Sequence, residues 1–196
     1  MIASLPLLLA SVLSVAQTTP STPHAAAASP VHELRSHPDW PTARPSDVQS
    51  IRGLVEAFFD AISASQGGTL DRQRLLSLFV PDGRIEIPLP GSGTQTTDVV
   101  FVSPDAYADM SDAATKNEGF FDHAVATHIQ HFGVMAHVYA AYESRKNPND
   151  AKPFVRGVKS LELLNSNGRW YITQVVWDRE RQDNPIPEIY LHDSVQ

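Results

Sequence analysis

Four of the eight histidines fall between Phe120 and Arg145, in FFDHAVATHIQHFGVMAHVYAAYESR. Imidazoles gathered this closely can ligate a metal, move protons, or simply decorate a sheet. The chain contains no cysteine, so thiolate metal sites and cysteine nucleophiles are excluded at once. No HExxH or comparably dense ligand pattern occurs, and spacing nominates no Ser-His-Asp triad, because triads are assembled by geometry. The other side chains with chemical potential are Tyr142, Arg156, Glu162 and Trp177, all in the same carboxyl-terminal half. What they can do depends on which strand face each occupies, and therefore on the elements that carry them.

The elements follow from periodicity and turn residues. Val48, Ile51, Val55, Phe58, Phe59 and Ile62 recur at helical spacing after Ser46, with Glu56 and Asp60 off the apolar stripe. Gly67-Gly68 ends that helix, and LDRQRLLSLF predicts a second, stopped by Pro81-Asp82-Gly83. Arg84–Pro88 and Val99–Val102 read as short strands around a Gly-rich loop. Gly91-Ser92-Gly93 in that loop is no phosphate cradle, since neither Lys-Ser/Thr nor a helix follows it. Ser103-Pro104-Asp105 opens a third helix with the stripe Tyr107, Met110, Ala114. Four long β-rich runs follow, Phe120–His131, Val134–Arg145, Phe154–Leu164 and Trp170–Arg179, with Asn167-Gly168 marking a hairpin. Helices first and antiparallel strands after is the α+β pattern.

Assigning Phe132-Gly133 as a two-residue turn puts Ile129, Thr127, Val125 and His123 on one face with Ala136, Val138, Ala140 and Tyr142. That face suits the core. The opposite face pairs His128 with His137 and Asp122 with Glu143. Two imidazoles with no third ligand beside them make a poor metal site, so no metal and no cofactor is expected. The Asn167-Gly168 turn places Arg156, Val158, Ser160 and Glu162 on one side with Thr173, Val175 and Trp177. Lys159, Leu161 and Leu163 take the other.

This order of elements resembles the nuclear transport factor 2-like superfamily, which includes polyketide cyclase-like and ketosteroid isomerase-like proteins. The residues that carry the resemblance are VEAFFDAI, LFVPDGRIEI, HFGVMAHVYAAYESR and GRWYITQVVWDRE, within about Ser46 to Leu191. The resemblance implies three helices packed on a strongly curved, mostly antiparallel sheet, a cone with a pocket at its wide end. It implies that Trp177 faces the pocket, as a last-strand Trp does in ketosteroid isomerase-like members. Glu162 would then project inward where those isomerases carry an acid that stabilises an enolate. Their first-helix Tyr is replaced here by Phe58 or Phe59, and their base has no clear counterpart between Arg72 and Leu78. The implied chemistry is therefore open, since one fold hosts many functions.

Composition narrows the partners. The 196 residues, 42% hydrophobic and 19% charged, suit one globular domain, and a net charge of −7 without a Lys/Arg cluster argues against nucleic acid. Residues 1–16 read as a signal peptide, with an apolar run from Leu5 to Val15 and the small-x-small site Ser14-Val15-Ala16. The run is too short to cross a hydrocarbon core of about 30 Å, so no membrane span remains after cleavage. Residues 17–45 are Pro/Ala-rich and read as a disordered leader, and residues 46–196 as the domain. The expected protein is exported, periplasmic or secreted, and binds a small apolar or carbonyl-bearing molecule. Its candidate ligand-binding residues are Trp177, Tyr142, Arg156, Glu162 and His123. Two alternatives stand beside it: a cofactor-independent isomerase, cyclase or dehydratase using Glu162 or His123 as acid–base, and a module that forms a homodimer through the outer sheet face.

Overall fold

A computed structural model describes residues 33–34, 37, 39–90 and 96–195. The expected signal segment, most of the leader and the Gly91-Ser92-Gly93 loop lie outside those residues. Among the described residues no helix is long and apolar enough to cross a membrane.

Helix α1 (Pro45–Val48) is a single turn, and α2 (Ile51–Ala61) carries the long stripe, burying Leu54, Val55, Phe58 and Phe59. The cap of α2 is Ser50, whose hydroxyl accepts the Gly53 N–H at 3.0 Å, rather than Ser46. An α1 carboxylate, Asp47, receives the Arg74 guanidinium of α3 (Arg72–Leu78) through two hydrogen bonds of 2.8 and 3.2 Å. Helix α4 (Pro104–Thr115) starts as its sequence predicts, with Ser103 accepting the Ala106 N–H and Pro104 in the first turn. The packed chain reaches back before Ser46: the Trp40 indole N–H donates to the Phe79 carbonyl at 3.1 Å, and Ala43 is buried.

Among the described residues seven strands form one curved mixed sheet: β1 (Phe79–Pro90), β2 (Thr96–Val102), β3 (Phe121–Phe132), β4 (Met135–Arg145), β5 (Val155–Ser166), β6 (Arg169–Arg179) and β7 (Ser194–Val195). Their order is β2-β1-β6-β5-β4-β3-β7, with β1–β6 and β3–β7 parallel and the remaining pairs antiparallel. The inner face packs on α2 and α3, where Phe58 and Phe79 meet edge to face in the core. Fully burying a side chain of that size stabilises by about 1.5–3 kcal/mol, so this contact anchors the helical layer.

Three features of the strand register bear on the faces read from sequence. The β3–β4 turn is Gly133-Val134, with Phe132 opposite Met135 and Gly133 at φ 60°. This two-residue shift leaves the faces unchanged, because side chains alternate with period two. It does separate the expected imidazole pair: His128 lies opposite Tyr139, and His137 opposite Gln130. A bulge between Ala124 and Ala126 then adds one residue, and one residue flips a face. Val125, expected in the core, is 44% exposed. Asp122 turns inward opposite Ser144, and His123 turns outward opposite Glu143. A second bulge, in β6 at Thr173, pairs Lys159 with Trp177 and Leu161 with Val175. Trp177 thus faces inward with Lys159, and Arg156 and Glu162 face outward.

Candidate functional site

Beneath α4 the inner face is lined by Tyr142 and Ser144 from β4, Gly157 and Lys159 from β5, and Trp177 from β6. Lys159 is the exception in an otherwise aliphatic row with Leu161 and Leu163. Its side chain is only 4% exposed, and its Nζ lies 3.1 Å from Oδ2 of Asp122, whose side chain is fully enclosed. The other carboxylate oxygen accepts the Ser144 hydroxyl at 2.7 Å. The Asp122 backbone is held as well: its N–H donates to Ser63 Oγ at 3.0 Å, and the Ser63 hydroxyl donates to the Phe59 carbonyl at the end of α2. The start of β3 is thereby locked onto α2, which fixes the carboxylate under the amine.

The remaining surroundings of the amine are aromatic. Lys159 Nζ lies 4.0 Å from the Tyr142 ring centre, 4.6 Å from that of Trp177 and 5.9 Å from that of Phe59. Ring faces attract a cation, and more so when water is excluded. Tyr142 reaches this position because residue 157 is glycine. A Cβ there would stand 2.8 Å from Tyr142 Cε1 and 2.1 Å from the Asp178 carbonyl oxygen.

Burial lowers the Lys159 pKa, partly against the pull of Asp122, and the Arg179 charge lowers it further. Burial, then the Asp122 charge, raises the Tyr142 phenol, and the same two causes push Tyr107 up to about 12. Both phenols therefore stay protonated at neutral pH, as hydrogen-bond donors. A desolvated amine, a carboxylate in contact with it and two phenols are groups that can hold a carbonyl or exchange a proton with it.

A cleft of about 270 Å³ opens beside this cluster, between α4 and Phe120 and Phe154. Its walls include Ile62, Met110 and Ala114. The apolar stripe of α4 explains it: Tyr107 packs against the core, whereas Met110, 49% exposed, is left to line the cleft. Tyr107 belongs to both places, since it walls the cleft and meets the Trp177 ring edge to face at 6.3 Å. A larger cleft of about 510 Å³ lies under the carboxyl-terminal segment, against Tyr139, Ser160 and Val176. The smaller cleft is the one that shares Tyr107 with the aromatic rings around Lys159.

The five residues singled out in sequence divide between the faces. Tyr142 and Trp177 come together around Lys159. Arg156, on the outer face, pairs with Glu180 at 2.9 Å and Glu143 at 3.4 Å. Glu162 is exposed there, 3.7 Å from His137 Nε2, and His123 lies against the Arg145 guanidinium. Lys159 and Asp122 are thus the ionisable pair on the enclosed face, and Glu162 and His123 stand on the other. Among the described residues, no three His, Asp or Glu side chains gather to hold a metal ion. Lys159, Asp122 and Tyr107 were missed in sequence. A lysine in phase with Leu161 and Leu163 was the available signal for the first; the β3 bulge hid the second.

Helices first, a mixed seven-stranded sheet around them and a cleft at the α4 end complete the architecture the resemblance implies. In the order of its helices and strands the chain is similar to nuclear transport factor 2-like proteins. Solved structures similar to it include a nuclear transport factor 2-like protein of unknown function from Silicibacter pomeroyi. That protein is 21% identical, with 66% of this chain and 92% of that one covered, at a TM-score of 0.46. Another, from Methylobacillus flagellatus, is 22% identical over 67% of this chain and 92% of that one, with a TM-score of 0.43. A provisionally named ketosteroid isomerase from Shewanella frigidimarina is 20% identical over 66% and 95%, with a TM-score of 0.44. No family model matches the sequence, and no curated protein sequence does.

Proposed function

We propose that this is an exported small-ligand-binding domain whose ligand occupies the cleft between α4 and Phe120 and Phe154. The observation that carries the reading is the uncovered apolar face of α4, where Tyr107 both walls the cleft and meets the Trp177 ring that lies over the buried Lys159 of the Lys159–Asp122 pair. Ligand sites combine mostly apolar walls with a few convergent polar groups, and this cleft has that composition. Its volume suits a small, mostly apolar molecule, and the amine, the phenols and the carboxylate suit one carrying a single polar group such as a carbonyl. Export rests on the Leu5–Val15 run and the Ser14-Val15-Ala16 site.

Methionine methyl NMR tests the location. Met110 lines the cleft, and Met135, exposed on the outer sheet face, serves as an internal control. Titration of the full chain with benzyl alcohol should shift the Met110 methyl resonance in a saturable way and leave Met135 unmoved. Met110→Asp should weaken binding by about tenfold or more, through a charge placed on an apolar wall. A titration that shifts Met135 and spares Met110 would move the ligand to the outer face and refute the reading.

A further inference from the structure

We propose that Lys159 is an imine-forming lysine, condensing with a small aldehyde or ketone admitted from the cleft past Tyr107. The proposal rests on the cleft being the ligand site and adds the chemical class of the ligand. Three observations carry it. First, of the four lysines in the chain, Lys116, Lys146 and Lys152 are outside the core, and Lys159 alone is enclosed. Desolvation is the usual means of making an amine nucleophilic near neutral pH. Second, a carboxylate stands 3.1 Å from the amine with its other oxygen held by Ser144, which is the place for a proton shuttle. Third, the rings of Tyr142, Trp177 and Phe59 surround the nitrogen. Such a cage would stabilise an iminium cation as well as an ammonium, and it would keep out the water that hydrolyses imines.

The step balances without a further reactant. Asp122 takes one proton from the Lys159 ammonium, and the freed lone pair on Nζ forms a bond to the carbonyl carbon. One of the two protons left on the attacking nitrogen passes to the carbonyl oxygen as the carbinolamine forms. Asp122 then returns its proton to the departing hydroxyl, the C–O bond breaks, and water leaves. An ammonium and a carbonyl have become a protonated imine and one water, with charge conserved. Tyr107, whose phenol stays protonated at neutral pH, walls the cleft and packs on the Trp177 ring, and would hydrogen-bond the incoming carbonyl oxygen without giving up its proton. A purely structural ion pair would have the same contacts but would not react, so the test must read the covalent bond.

The full chain is incubated with benzaldehyde at neutral pH, reduced with cyanoborohydride and mapped by peptide mass spectrometry. The result expected is an adduct on Lys159 exceeding that on each of Lys116, Lys146 and Lys152 by about tenfold, because only Lys159 is enclosed with a carboxylate in contact to take its proton. Lys159→Arg should abolish that adduct, and on the unmodified chain benzyl alcohol, which cannot form an imine, should shift the Met110 methyl. Site mapping on the unmodified protein decides the matter even if the variant fails to fold. Adducts confined to the three surface lysines, with the Met110 shift intact, would overturn imine formation and leave the cleft as the ligand site. Loss of both signals would overturn the two readings together.

Discussion

Breaking the Lys159–Asp122 pair from each side should give stability losses with opposite pH dependence. Lys159→Met replaces the amine with an apolar side chain of similar length that suits the aromatic cage, and leaves Asp122 enclosed with only the Ser144 hydroxyl. The orphaned acid escapes burial as an anion by taking a proton. At pH 7 that costs at most about 4 kcal/mol, from three pH units above an unfolded pKa near 3.9 at 1.36 kcal/mol each. Asp122→Asn orphans the amine instead, and shedding its proton at pH 7 costs at most about 4.6 kcal/mol against an unfolded pKa near 10.4. Both ceilings agree with the roughly 3–5 kcal/mol typical of breaking a buried pair.

The signs follow from linkage. In Lys159→Met the folded-state pKa of the acid is raised, so the deficit is absent below its unfolded value and grows as pH rises. In Asp122→Asn the folded-state pKa of the amine is lowered, so the deficit is full at low pH and fades as pH approaches the unfolded value. Urea denaturation at about pH 5, 7 and 9 should show the first deficit growing, and the second shrinking, by up to about 1.4 kcal/mol per unit. Lys159→Met/Asp122→Asn, with no charge left to bury, should be more stable at pH 7 than either single variant. A deficit for Lys159→Met that is below about 1 kcal/mol and flat with pH would show that the carboxylate is hydrated, and the account of an enclosed pair would fail.

Two further outcomes test the fold around the site. Val138, fully buried, and Val125, on the β3 bulge, should respond oppositely to aspartate: Val138→Asp should cost about 3–5 kcal/mol or prevent folding, and Val125→Asp less than about 1 kcal/mol, as read by thermal melting. Equal losses would place the bulge elsewhere. Trp40→Phe, which removes only the indole donor to the Phe79 carbonyl, should cost about 1–2 kcal/mol in the same assay; an unchanged melting temperature would mean the segment before α1 does not contribute to stability.

The elements of this protein were legible in its sequence because their signals are local. The stripe from Val48 to Ile62, the Ser103-Pro104 start and the Asn167-Gly168 turn each act within a few residues, and the structure carries α2, α4 and the β5–β6 hairpin where those signals place them. Faces near the hairpin turns were legible too, since the two-residue shift at Gly133-Val134 preserved alternation for Ile129, Ala136 and Val138. Beyond the bulges at Val125 and Thr173 they were not. A bulge changes the parity of every residue after it, and neither Val nor Thr announces one as a left-handed glycine would. That parity decided the site: it turned Asp122 inward and His123 outward, and set Trp177 beside Lys159 rather than beside Arg156 and Glu162. Sequence alone determined that this chain builds helices and then a curved sheet. Which charged side chains that sheet encloses was decided only in three dimensions, because each bulge reverses which face every later residue of its strand takes.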